Sequence, residues 1–120
     1  MIKQVKFVGI PTRDQDRALA FWTDKMGLRV ATDQPMGGQR WIELSIPGAE
    51  TGVVLFTPDS HEDRIGTFFN GSFGCDDVDY TYGRMSANGV EFEGPPEKQP
   101  WGTFAKFKDP DGNTFILSSR

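Results

Sequence analysis

Asp14-Gln15-Asp16-Arg17-Ala18-Leu19-Ala20-Phe21-Trp22-Thr23-Asp24-Lys25-Met26-Gly27 returns in outline as Asp76-Asp77-Val78-Asp79-Tyr80-Thr81-Tyr82-Gly83-Arg84-Met85-Ser86-Ala87-Asn88-Gly89. In both stretches the leading aspartate and the closing glycine stand thirteen residues apart, and the glycine is followed by an aliphatic, a charged and an apolar residue. Asp14, and either Asp76 or Asp77, offers the short carboxylate that caps free N–H groups at a helix start, while glycine takes the left-handed conformation that ends one. Between these signals Ala18, Leu19, Phe21, Trp22 and Met26 form an apolar stripe, and Tyr80, Tyr82 and Met85 a thinner one. Both stripes, Trp22 included, read as packing.

Outward from the two helices, residues 5–11 and 71–75 are strand-like runs that precede them. Strand-like segments follow at 27–32, 40–46 and 52–57, with Pro47-Gly48 as a turn, and again at 90–92, 103–108 and 114–118. Pro95-Pro96 and Pro100 make a stiff loop between strands of the second set. The chain therefore reads as one α+β domain of 1–120 built from two βαβββ modules, about 1–58 and 67–120, joined by an acidic linker at 59–66.

A chain of 120 residues, 37% hydrophobic and 25% charged, suits a single compact domain. No apolar run approaches the roughly 20 residues that cross a bilayer, and Met1-Ile2-Lys3-Gln4-Val5-Lys6 lacks a signal-peptide core, so a cytoplasmic protein without membrane contact is expected. Thirteen basic against seventeen acidic residues give a net charge of −4, which opposes attraction to nucleic acid and anionic lipid. Cys75 is the sole cysteine, cannot pair within the chain, and reads as a small buried side chain.

Two further motifs carry a family resemblance. Arg17-Ala18-Leu19-Ala20-Phe21-Trp22-Thr23-Asp24-Lys25-Met26-Gly27-Leu28 is one, and Glu97-Lys98-Gln99-Pro100-Trp101-Gly102 with the turn Asp109-Pro110-Asp111-Gly112-Asn113 is the other. Together they resemble the glyoxalase, bleomycin-resistance and extradiol-dioxygenase superfamily, the vicinal oxygen chelate proteins. Residues 21–28 and 99–102 look most like the metal-free bleomycin-binding resistance proteins. The resemblance implies that the two modules curl a mixed sheet around a cavity, and that the protein is a homodimer whose chains share their pockets.

The family's enzymes hold a divalent ion with His, Gln or Glu side chains from four strands, as oxygen and imidazole ligands suit such an ion. Carried onto this chain, those positions fall on Phe7, Leu55, Asn70 and Ile116, none a usual ligand. A slip of one residue substitutes Lys6 or Val8, Val54 or Phe56, Phe69 or Gly71, and Phe115 or Leu117, with the same result. No metal and no cofactor are therefore expected. His61, the only histidine, lies in the charged stretch Asp59-Ser60-His61-Glu62-Asp63 and reads as solvated linker. One linker histidine also leaves no catalytic triad to assemble, and the glycines form no phosphate loop.

What the resemblance leaves in the cavity is binding machinery. In Arg40-Trp41-Ile42-Glu43-Leu44, alternation sends Ile42 and Leu44 toward the helix and Trp41 and Glu43 toward the cavity. Trp41 and Trp101, with Phe7 and Phe104, supply rigid planes for stacking; Leu55 and Ile116 pack on apolar ligand atoms; Glu43 and Asn70 orient the ligand by hydrogen bonds. Phe7, Trp41 and Phe104 are equally readable as core, and Phe68 and Phe69 fit either the cavity or the dimer seam. The expected function is sequestration of a bulky, partly aromatic natural product, bleomycin-like or enediyne-like, as antibiotic resistance. Two alternatives stand beside it: a lyase, isomerase or dioxygenase of the same superfamily, with Glu43 as a possible base, and a metabolite sensor or carrier.

Overall fold

The computed structural model describes residues 1–67 and 70–119, so Phe68 and Phe69 lie outside the described residues. The fold is mixed α+β, with two sheets that do not close into a barrel. It divides into two compact units, Met1–Ile65 and Gly66–Arg120.

In the first unit, β1 (Phe7–Pro11) leads into α1 (Gln15–Ala20), which continues as a π-helical turn over Phe21–Lys25. Asp14 caps α1 by accepting from the Arg17 N–H at 3.0 Å. The wider turn, closed by Met26 N–H donating to the Phe21 carbonyl at 3.2 Å, accompanies burial of the successive rings of Phe21 and Trp22. These rings meet edge to face with centroids 5.1 Å apart. Gly27 then adopts φ +81° and releases the chain into β2 (Arg29–Met36), β3 (Gln39–Ser45) and β4 (Gly52–Phe56). The sheet order is β1-β4-β3-β2, with β1 and β4 parallel and the other pairs antiparallel. Ile10, Ile42, Leu44, Val53 and Leu55 form its buried layer.

The second unit repeats this plan. β5 (Asn70–Gly74) precedes α2 (Val78–Ala87), and Asp77, rather than Asp76, supplies the cap by accepting from Tyr80 N–H at 3.0 Å. β6 (Glu91–Phe92), β8 (Gly102–Lys108) and β9 (Thr114–Ser118) complete the order β5-β9-β8-β6, the counterpart of β1-β4-β3-β2. One element departs from the sequence expectation. The presumed stiff loop contains a strand, β7 (Glu97–Gln99), which pairs antiparallel with β8 and makes this sheet five-stranded. Gln99 pairs with Gly102, so Pro100 and Trp101 are the two-residue turn of a hairpin.

Aromatic rings dominate the core of the second unit. Phe107 lies 5.4 Å from Phe115 in a stacked pair, 5.8 Å from Phe92 and 6.3 Å from Phe73, and Tyr82 of α2 caps Phe92 at 4.7 Å. Two side chains expected to be buried are not. Cys75 is half-buried and Tyr80 is exposed, its hydroxyl accepting from Arg84 Nη1 at 2.8 Å with the guanidinium over its ring. Val78 and Tyr82 hold the inner face of α2.

The turn between β8 and β9 is a buried polar cluster. Asp109 Oδ1 accepts from the N–H groups of Asp111 and Asn113, while Asn113 Nδ2 donates to Asp109 Oδ2 at 3.0 Å. Asn113 Oδ1 in turn accepts from Gly66 N–H at 3.1 Å. Only glycine fits that approach, because Gly66 has φ +86° and an added Cβ would stand 2.2 Å from the Asp111 carbonyl oxygen. Burial pushes the Asp109 carboxyl above its ordinary value of 3.8, and the hydrogen bonds from Asn113 hold it back. A carboxyl raised in the folded state favours folding while protonated and loses that contribution as pH rises through its folded pKa. Relative to Asp109→Asn, which stays neutral, the parent is therefore expected to lose melting temperature as pH climbs from about 3 to about 7. Thermal melts of both proteins across that interval check the sign.

Candidate functional site

Strand register sorts the predicted site residues onto faces. In the first unit Gly9 pairs with Val54, Val54 with Glu43, and Ile10 with Leu55, Leu55 with Ile42. Phe7, Gly9, Trp41, Glu43, Val54 and Phe56 thus share the face opposite the buried layer. Leu55 does not. It belongs to the helix-side layer at 0% exposure, so no ligand on the other face reaches it; of its two neighbours on that other face, Val54 is buried as well, at 2%, and Phe56 is half-buried. The run Val53-Val54-Leu55-Phe56 is apolar throughout, and its composition gives no alternation from which the face is read.

Phe7 and Trp41 meet edge to face with centroids 5.5 Å apart. Gly52, opposite Phe7 on β4, places no side chain against it, and the absence of a Cβ at Gly9 admits the Phe56 ring, which would stand 3.0 Å from one. Trp41 also walls a cleft of about 320 Å³ with Gln34, Pro35 and Met36. These three were missed because the strand was expected to end near Thr32. The cue was Gly37-Gly38, a turn signal that lets β2 run on to pair Gln34 with Trp41. Glu43, half-buried, accepts from Trp41 Nε1 at 3.5 Å.

In the second unit Asn70, Ser72, Phe104, Lys106, Thr114 and Ile116 share one face, while Ala105, Phe107, Phe115 and Leu117, with the half-buried Phe73, form the other. Asn70 is exposed and Ile116 half-buried, flanked by Ser72 and Lys106. Trp101, 62% exposed at the hairpin turn, stacks on Phe104 with centroids 5.6 Å apart and planes 23° from parallel. A smaller hollow of about 180 Å³ beside Phe104 is bordered by Glu93, Pro95, Glu97 and Lys106. The structure thus brings Phe7, Trp41 and Glu43 together in one unit and Asn70, Trp101, Phe104 and Ile116 in the other.

A more polar cleft of about 710 Å³ at the Gly37-Gly38 end is lined by groups that already brace the fold. Arg40 donates to both carboxylate oxygens of Asp33, at 3.0 and 2.8 Å, and pairs with Asp16. These hydrogen bonds and the guanidinium charge hold the Asp33 carboxyl below its usual range. Gln15 bridges the Arg40 and Leu55 backbones, and Gln39 clasps both backbone groups of Thr57. Among the described residues no three His, Cys, Asp or Glu side chains cluster as a cation would require, and no helix is long and apolar enough to cross a membrane.

This arrangement of paired strand-helix units and helix-free faces has known counterparts. Residues 4–117 match the Glyoxalase/Bleomycin resistance protein/Dioxygenase superfamily, and the chain belongs to it. It is 42% identical over 118 residues to YetH, an uncharacterized protein of Bacillus subtilis (strain 168), covering 98% of each chain. Its fold is similar to that of UcmS2, with a TM-score of 0.89, 32% identity and full coverage of both chains. It is also similar to TnmS3, an antibiotic binding protein from Streptomyces sp. CB03234, with a TM-score of 0.87 and 33% identity over 98% of this chain and 96% of that one.

Proposed function

We propose that the protein binds and sequesters a bulky, partly aromatic natural product, bleomycin-like or enediyne-like, without metal and as a homodimer in the cytoplasm. The observation that carries the reading is the placement of the Phe7–Trp41 and Trp101–Phe104 pairs on sheet faces that the unit's own core leaves open. Rigid rings that lose little side-chain entropy favour stacking of a planar ligand. The similarity to TnmS3, an antibiotic binding protein, supports an antibiotic as the ligand. At the superfamily's ligand positions stand Phe7, Asn70, Ile116 and, by register, Val54 or Phe56, so affinity rather than Lewis-acid chemistry is the mechanism proposed. Binding alone protects a cell when the protein exceeds the drug and holds it tightly.

Native mass spectrometry of the protein, purified without chelator and titrated with aromatic antibiotics, tests this directly. The expected spectrum shows a dimer that takes up drug, carries no stoichiometric divalent ion, and keeps its affinity after chelator treatment. About one transition-metal ion per chain, with binding lost on its removal, would overturn the reading.

A further inference from the structure

We infer that Glu43 makes the Trp41 face selective for planar aromatic ligands that carry a protonated amine at their edge. The inference rests on the aromatic-binding reading above and names the charge that reading leaves open. Glu43 stands on a face whose other near members are rings and hydrocarbon: Val54 is its partner in register on β4, Trp41 lies two residues along β3, and Phe7 packs against Trp41. Thr32, opposite it on β2, and Ser45, two residues further along β3, are the adjoining polar side chains, and both are uncharged. Among the described residues its one side-chain hydrogen bond is the 3.5 Å contact from Trp41 Nε1. An ionised carboxylate offers about four acceptor sites, so most of its capacity is unmet by protein. Arg29, which shares this face through its pairing with Ser45, forms no ion pair with Glu43 among the described residues.

Water satisfies those lone pairs while the face is open. A flat ligand seated on Trp41, in the cleft with Gln34, Pro35 and Met36, and extending two residues along β3 beyond that lining, would bring its edge to Glu43 and remove that water. A neutral hydrocarbon edge would leave a charge desolvated and unpaired, an anionic edge would add repulsion, and an ammonium edge supplies charge-assisted hydrogen bonds. The same cation gains from the face of the neighbouring indole. Selectivity therefore comes as much from what Glu43 penalises as from what it attracts.

Three probes that differ only at one substituent test the idea: 9-(aminomethyl)anthracene, 9-anthracenemethanol and 9-anthracenecarboxylate, titrated by fluorescence against the whole protein. The ammonium probe is expected to bind about ten- to a hundredfold more tightly than the alcohol, with the carboxylate weakest. In Glu43→Gln, which keeps an acceptor for Trp41 Nε1, the ammonium and alcohol affinities should converge, the ammonium weakening as its ion pair is lost and the alcohol gaining as the desolvation penalty falls away. Equal binding of all three by the parent overturns the inference and leaves the aromatic-binding reading standing. A preference that persists in Glu43→Gln also overturns it, assigning the effect to the net charge of −4. Failure of every probe to bind overturns both. The parent comparison decides the matter even if the variant folds poorly.

Discussion

Phe107→Ala is expected to destabilise the protein by about 3 to 5 kcal/mol, the range for emptying a fully buried aromatic site. Phe107 is fully buried and stands within 6.3 Å, centroid to centroid, of Phe73, Phe92 and Phe115. Three large rings cannot collapse into the space together, because each is fixed to a different strand. Since domains of this size are stable by only about 5 to 15 kcal/mol, the variant should sit near the limit of folding at room temperature. Urea unfolding followed by circular dichroism measures the loss. A change below about 1 kcal/mol would mean that the cluster closes over the cavity, against the packing described.

Trp101→Ala is expected to weaken binding of a planar aromatic ligand by about 1 to 3 kcal/mol, with stability moving by no more than about 0.5 kcal/mol. The two effects separate because the indole is mostly exposed and touches the fold chiefly through Phe104, at the tip of a two-residue turn. Trp22→Phe should behave in reverse, shifting the melt and sparing affinity, since Trp22 is wholly buried beside Phe21. Calorimetry with 9-anthracenemethanol and thermal melts on both variants check the contrast. Unchanged affinity in Trp101→Ala would confine binding to the Phe7–Trp41 face and remove the hairpin from the site.

Helix placement was legible in the sequence because it depends on local chemistry. Aspartate caps and glycine stops act within a turn, and the paired Asp14 and Asp77 caps accept from Arg17 and Tyr80 at the same 3.0 Å. The succession of strands and helix along the first unit followed from the repeat, whereas the order of strands within each sheet was not legible from it. Facing was legible only where the strand alternates in composition: Trp41-Ile42-Glu43-Leu44 divides as its polarity indicates, whereas Val53-Val54-Leu55-Phe56 offers no contrast and Leu55 was placed on the wrong side. β7 was invisible for a different reason. Glu97-Lys98-Gln99 is polar and bounded by prolines, so neither composition nor alternation marks it, and it is a strand because the turn at Pro100-Trp101 folds it back onto the backbone groups of β8. The same hairpin explains why Trp101, read as part of an irregular loop, is held in a defined stack.

The three tryptophans sit at three depths: Trp22 sealed at 0% exposure, Trp41 partly covered, and Trp101 open at the hairpin turn. Indole emission moves to longer wavelength as water gains access to the ring, so the native spectrum sums a blue component from the first unit's core and a redder one from the second unit's surface. A soluble quencher added at low concentration meets the red component first. Unfolding transfers the blue light to the red, while a guest stacked as proposed on Trp101 or Trp41 would dim those two indoles before the sealed Trp22. The chain therefore carries an optical signal for integrity without any label and, if ligand binds as proposed, a second one for occupancy, so that a single emission scan would distinguish a protein that has lost its fold from one that has filled the proposed site.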